Sequence, residues 1–96
     1  MDANHIFTAG EHGIHLLFDE ETIGAAFAED PERLRALVAA RREELHAILA
    51  EIFELRRPDQ ARQFIAALPR ELRHVLVLLY FELLERRMRR RGLVLH

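Results

Sequence analysis

Apolar residues recur at spacings of three and four between residues 31 and 57: Leu34, Leu37, Val38, Leu45, Ile48, Leu49, Ile52 and Leu55. That period gathers them on one face of a helix. Asp30-Pro31-Glu32 marks its start, an Asp cap followed by proline at the first helical position. Arg57-Pro58-Asp59 breaks the pattern. Arg41 interrupts the stripe, where its aliphatic stem can lie along apolar surface. At 1.5 Å per residue the pattern predicts a single helix about 40 Å long. In so short a chain, that length implies packing in a bundle or against a coiled-coil-like partner.

Shorter elements flank it. Asp19 is placed as an N-cap, with Glu20 and Glu21 in the first turn where the helix dipole favours negative charge. This predicts a helix over residues 20–28 that buries Ile23 and Phe27. A second short helix over 60–68 presents Phe64, Ile65 and Leu68. Pro69 opens a last helix running to Arg91, with Gly92 as its stop. Within it, residues 75–81 (VLVLLYF) are apolar on every face, the mark of a helix surrounded by neighbours. Residues 1–18 resist helical assignment because Gly10 and Gly13 interrupt them. The runs His5–Thr8 and Ile14–Phe18 around AGEHG fit a β-hairpin or an irregular arm. The predicted fold is therefore an all-α small helical bundle: one long helix, two short helices and one long C-terminal helix. Residues 19–96 form a single helical domain, preceded by an arm over 1–18.

Composition sharpens the functional reading. Half of the 96 residues are hydrophobic, more than a core of this size readily covers. A second copy of the chain would cover the excess. The net charge of −2 excludes a field-driven nucleic-acid binder. With no cysteine there is no disulfide, thiolate metal site or cysteine nucleophile. That fits a reducing compartment, and a cytoplasmic location is expected. No run is long and apolar enough for a transmembrane helix, and no signal peptide is expected at the N-terminus. There is no serine for a Ser-His-Asp triad, and no phosphate-cradling glycine pattern.

Three groups of residues could carry chemistry. Glu43–His46 and Glu71–His74 are ExxH pairs, the spacing found in ferritin-like di-iron bundles. His5, His12 and His15 cluster near Glu11, at a spacing that matches no zinc pattern. Arg86, Arg87, Arg89, Arg90 and Arg91 crowd the end of the last helix. They could grip phosphates, or complement the helix dipole and pair with Glu82 and Glu85 one turn upstream.

One segment resembles a known family. Leu68-Pro69-Arg70-Glu71-Leu72-Arg73, followed by Val75-Leu76 and Leu79-Tyr80-Phe81-Glu82, is similar to the opening helix of region 4 in sigma-70-type factors. The resemblance covers about 15 residues. In that family a turn and a DNA-reading helix follow, whereas this chain continues Leu83-Leu84-Glu85-Arg86-Arg87. The DNA-binding function is therefore not carried over.

The expected function is that of a small non-enzymatic adaptor or regulatory protein that binds proteins, as a homo-oligomer and without a cofactor. Its interface would be Val75, Leu76, Leu79, Tyr80, Phe81 and Leu83. One alternative is a nucleic-acid-associated regulator using the arginine cluster. A second is a di-metal helical bundle held by the two ExxH pairs.

Overall fold

A computed structural model describes residues 3–90 and residue 92. Among them are six helices and no strand: α1 (Ala3–Glu11), α2 (Glu20–Phe27), α3 (Pro31–Ala40), α4 (Arg42–Glu54), α5 (Pro58–Ala66) and α6 (Arg70–Arg90). The all-α class read from the periodicity is what the chain adopts.

The apolar run in α6 explains the architecture. Leu72, His74, Val75, Leu76, Val77, Tyr80 and Leu84 are all buried. Four of them are consecutive, so they point in every direction around the helix. α6 is accordingly the axis of the molecule, with α1, α2 and α3 packed against it and α5 joined through α4. Within residues 75–81, Val75, Leu76, Val77 and Tyr80 are buried by the chain's own helices, while Leu78, Leu79 and Phe81 stay partly exposed. Five helices accompany the central one, where the sequence pattern gives three.

Two elements need correction, and one burial. Phe27, expected inside, is 60% exposed, because α2 buries Ala26 instead and leaves Phe27 edge-on against Phe81. The single helix over 31–57 is broken at Arg41, whose backbone (φ −120°, ψ 31°) leaves the helical region. A straight helix of about 40 Å would overrun a molecule only 33 Å across at its widest. The break lets Leu34 of α3 and Leu45 and Ile52 of α4 all reach the same core. Arg41 caps the junction outside, gripping Glu44 through Nε at 2.9 Å and Nη2 at 3.3 Å.

The second correction concerns the N-terminal arm, which contains neither hairpin nor irregular chain over residues 3–11 but the helix α1. The two glycines fit a helix for separate reasons. Gly10 packs directly beneath Tyr80 and Leu84, where a Cβ would overlap the Tyr80 hydroxyl. Gly13, at φ 82°, ends the helix. The Ile14 N–H bonds to Ala9 O and the Gly13 N–H to Gly10 O, both at 2.9 Å. Together these bonds form a Schellman stop.

The remaining caps follow the sequence. Asp19 Oδ1 accepts the Thr22 N–H at 2.7 Å, and Asp30 Oδ1 the Glu32 N–H at 3.0 Å. Hydrogen bonding from Thr22 holds the Asp19 carboxyl below the ordinary aspartate range. Gln60 Oε1 accepts from the Arg56 and Arg57 N–H groups and anchors α5, which starts at Pro58 rather than residue 60. Gly92, at φ 74°, follows α6. No helix among the described residues is long and apolar enough to cross a membrane.

Candidate protein-interaction groove

Two residue stripes of identical spacing line one groove. On α4, Arg42, Leu45, His46 and Leu49 stand at i, i+3, i+4 and i+7. On α6, Leu79, Glu82, Leu83 and Arg86 do the same, and Val38 of α3 closes one wall around about 330 Å³. This spacing puts each set on one helix face. Leu45 is buried at the floor, while Val38, Leu49 and Leu79 are half-buried. Leu83 is 43% exposed despite its apolar side chain. An adjoining cleft of similar volume shares Val38, Leu79, Glu82 and Arg86, and adds Arg35, Glu85 and Arg89.

The charges along this surface do not balance. Arg35 Nε lies 3.6 Å from Glu82 Oε1, and Arg89 pairs with Glu85 one turn away. Both acids are thus answered. Arg42 and Arg86 are exposed, and neither makes a side-chain hydrogen bond or ion pair among the described residues. The groove therefore has an apolar floor with one uncommitted guanidinium on each flanking helix.

The residues expected to form an interface fall into two groups. Val75, Leu76 and Tyr80 are buried in the chain's own core. Leu79 and Phe81 are half-buried, and Leu83 faces outward. The arginine run divides as well. Arg87 turns inward, where its side chain is only 15% exposed. It donates to Glu11 Oε1 at 2.8 Å, Asn4 Oδ1 at 2.7 Å and Thr8 Oγ1 at 3.0 Å. It serves to fasten α1 to α6 and is not available to grip a phosphate. Arg86 joins the groove, Arg89 is held by Glu85, and Arg90 is exposed. Arg91 lies outside the described residues.

The ExxH pairs do not converge. Glu43 and His46 are exposed on α4. His74 is buried and donates from Nδ1 to Glu29, which also accepts from Arg33 Nη1 at 3.0 Å. Arg33 in turn reaches Glu71. The chain Glu71–Arg33–Glu29–His74 thus ties α6 to α3 and to the loop before it. Hydrogen bonding from His74, aided by nearby positive charge, lowers the Glu29 pKa below the ordinary glutamate value. Among the described residues, no group of three or more His, Asp or Glu could hold a metal ion.

The N-terminal histidines also disperse. His5 is exposed, and His12 Nδ1 donates to the Thr8 carbonyl at 2.9 Å. His15 Nδ1 lies 2.8 Å from the Tyr80 hydroxyl, and its ring meets Phe81 edge-on at 4.9 Å between centroids. Burial lowers the His15 pKa and raises that of Tyr80.

The segment resembling a sigma region 4 opening helix is the first half of α6. It continues without a turn to Arg90, so no helix-turn-helix forms there. Comparisons with protein-family models, with curated proteins and with solved structures find no match.

Arg42, Leu45 and Leu49 lie outside the interface expected from the sequence. A signal was available: the apolar stripe skips from Val38 to Leu45, and Arg41-Arg42 fills the gap. Read as one helix, that gap is an interruption; read as two helices, it places Arg42 at the rim of a new face.

Proposed function

We propose that this chain is a non-enzymatic adaptor or regulatory protein that binds another protein in the groove between α4 and α6. The observation that supports this reading is Leu83. It stands exposed above an apolar floor, flanked by two arginines without partners. With Leu83 43% exposed, the burial it forgoes over the apolar trough is about 1 kcal/mol, a fraction of the ~1.5–3 kcal/mol for a whole leucine. A partner that covers it recovers that energy. Recessed apolar anchors inside a polar rim are the usual anatomy of a protein interface.

A photo-crosslinking amino acid at position 83 tests the proposal in the native host. A matched substitution at Ala50, an exposed α4 position outside the groove, is the control. A discrete protein adduct from position 83, absent from position 50, is the expected result. Equal labelling from both positions, or none from either, would remove the groove as the binding face.

A further inference from the structure

We infer that the occupant of the α4–α6 groove is an acidic amphipathic helix of a partner protein. This inference rests on the groove being the binding face and specifies its ligand. Three observations carry it. First, the walls are two helical stripes at i, i+3, i+4 and i+7. A third helix packs its own ridge into such a trough, presenting anchors at the same spacing. Second, Arg42 and Arg86 stand on opposite walls without partners, while Glu82 is already met by Arg35. Carboxylates on both flanks of the incoming helix answer them. Third, the chain as a whole carries −2, whereas the groove's own lining holds two arginines against one glutamate.

Other occupants fit less well. No aromatic side chain lines the groove to stack on a nucleobase. The floor is recessed, which suits an inserted ridge better than a flat lipid surface. A second copy offers no suitable helix among the described residues. The acidic α2 already lies along α6, and α4 turns Leu45 and Ile52 into the core.

The test uses synthetic helical peptides of about 20 residues, long enough to hold helix in solution. One carries leucines at i, i+3, i+4 and i+7 with glutamate on both flanks; its twin carries lysine in place of glutamate. Fluorescence anisotropy measures both against the full chain, R42Q/R86Q and Leu83→Ser, with circular dichroism confirming that each variant is folded. The acidic peptide is expected to bind, and the lysine twin to bind about tenfold more weakly or worse. R42Q/R86Q should lose about tenfold for the acidic peptide alone, whereas Leu83→Ser should weaken both. If the lysine twin binds as well as the acidic peptide and Leu83→Ser weakens both, the groove reading stands and the acidic ligand is wrong. If neither peptide binds, or binding ignores Leu83, both are wrong. Groove-dependent binding to phosphatidylserine vesicles or duplex DNA in place of the peptide overturns the inference. So does a dimer that R42Q/R86Q dissociates, which would make a second copy the occupant.

Discussion

Arg87 Nε donates to Glu11 Oε1 at 2.8 Å, and the two side chains are 15% and 4% exposed. This pair joins helices 76 positions apart in the chain and closes the first helix onto the last turns of the axis. Removing one partner of a buried pair leaves the other charged and desolvated, at about 3–5 kcal/mol when burial is complete. Arg87 retains some solvent access, so Arg87→Ala should cost about 2–4 kcal/mol. Arg86→Ala, one position earlier but facing outward, should change stability by about 0.5 kcal/mol or less. Urea denaturation of the two variants makes the comparison. Equal effects would mean that Arg87 is not a structural clamp.

Gly10 and Tyr80 form a second joint between the same helices. Alanine is better than glycine inside a helix by about 1 kcal/mol, so propensity alone predicts that Gly10→Ala stabilises. The geometry predicts the reverse. The added Cβ would overlap the Tyr80 hydroxyl and sit 3.2 and 3.3 Å from the two Leu84 Cδ atoms. Overpacking of this kind costs about 1–3 kcal/mol, enough to outweigh the propensity gain. Tyr80→Phe removes the obstructing oxygen but gives up the hydrogen bond to His15, worth about 1 kcal/mol. The double variant should therefore be more stable than the sum of the single changes predicts, with partial recovery because Leu84 stays close. A cycle of four thermal denaturations that came out additive would refute the contact.

Acid should weaken the fold in two steps of the same sign. Burial lowers the His15 pKa, so the folded state resists a proton that the unfolded chain accepts as pH falls through the ordinary histidine range. The stability tied to His15 is full above that range and declines below it. The Glu29 pKa is lowered by its bond with His74. Its contribution is full above the ordinary glutamate value and is lost as pH falls through the depressed one. In both windows the unfolded chain holds more protons, so stability rises with pH. Chemical denaturation from pH 8 down to pH 3 should show both declines. His15→Gln should remove the upper step, and Glu29→Gln should shrink the lower, to which the depressed Asp19 carboxyl also contributes. A variant that keeps its step in full shows that the residue named is not its source.

Helix type was legible along most of this chain because 3.6-residue periodicity and Asp caps are local signals. Asp19 and Asp30 cap where the sequence puts them. Two features depended on the size of the finished molecule and were hidden. Nothing local at Arg41 forces a break, since a straight helix fails only against a body 33 Å wide. Gly10 reads locally as a helix breaker, and only the nearness of Tyr80 makes it the residue that fits. The candidate site was legible in fragments. Leu79, Leu83, Arg86 and His46 were noted for three different chemistries, and the fold brings them into one groove. What links them is the placement of α4 beside α6 by way of α3, which no spacing along the chain encodes.

The arginine run gives the last prediction, because the structure changes its expected strength as a phosphate grip. Five arginines gripping duplex DNA would release counterions with a log–log salt slope of about −4 to −5. Among the described arginines, Arg87 is buried against Glu11 and Arg89 is held by Glu85. Within the run's described members, Arg86 and Arg90 are the two exposed without an ion pair. Arg86 and Arg90 alone supply two contacts and a slope of about −2. Duplex DNA should accordingly bind weakly, and Arg86→Gln with Arg90→Gln should abolish what binding there is. A gel-shift titration between low and physiological salt measures the slope directly. A slope near −4 would require that Arg87 and Arg89 leave their carboxylates for phosphate. In that event α1 would loosen from α6 on binding, the stability effect of Arg87→Ala would shrink in the complex, and the nucleic-acid reading would displace the protein-binding one.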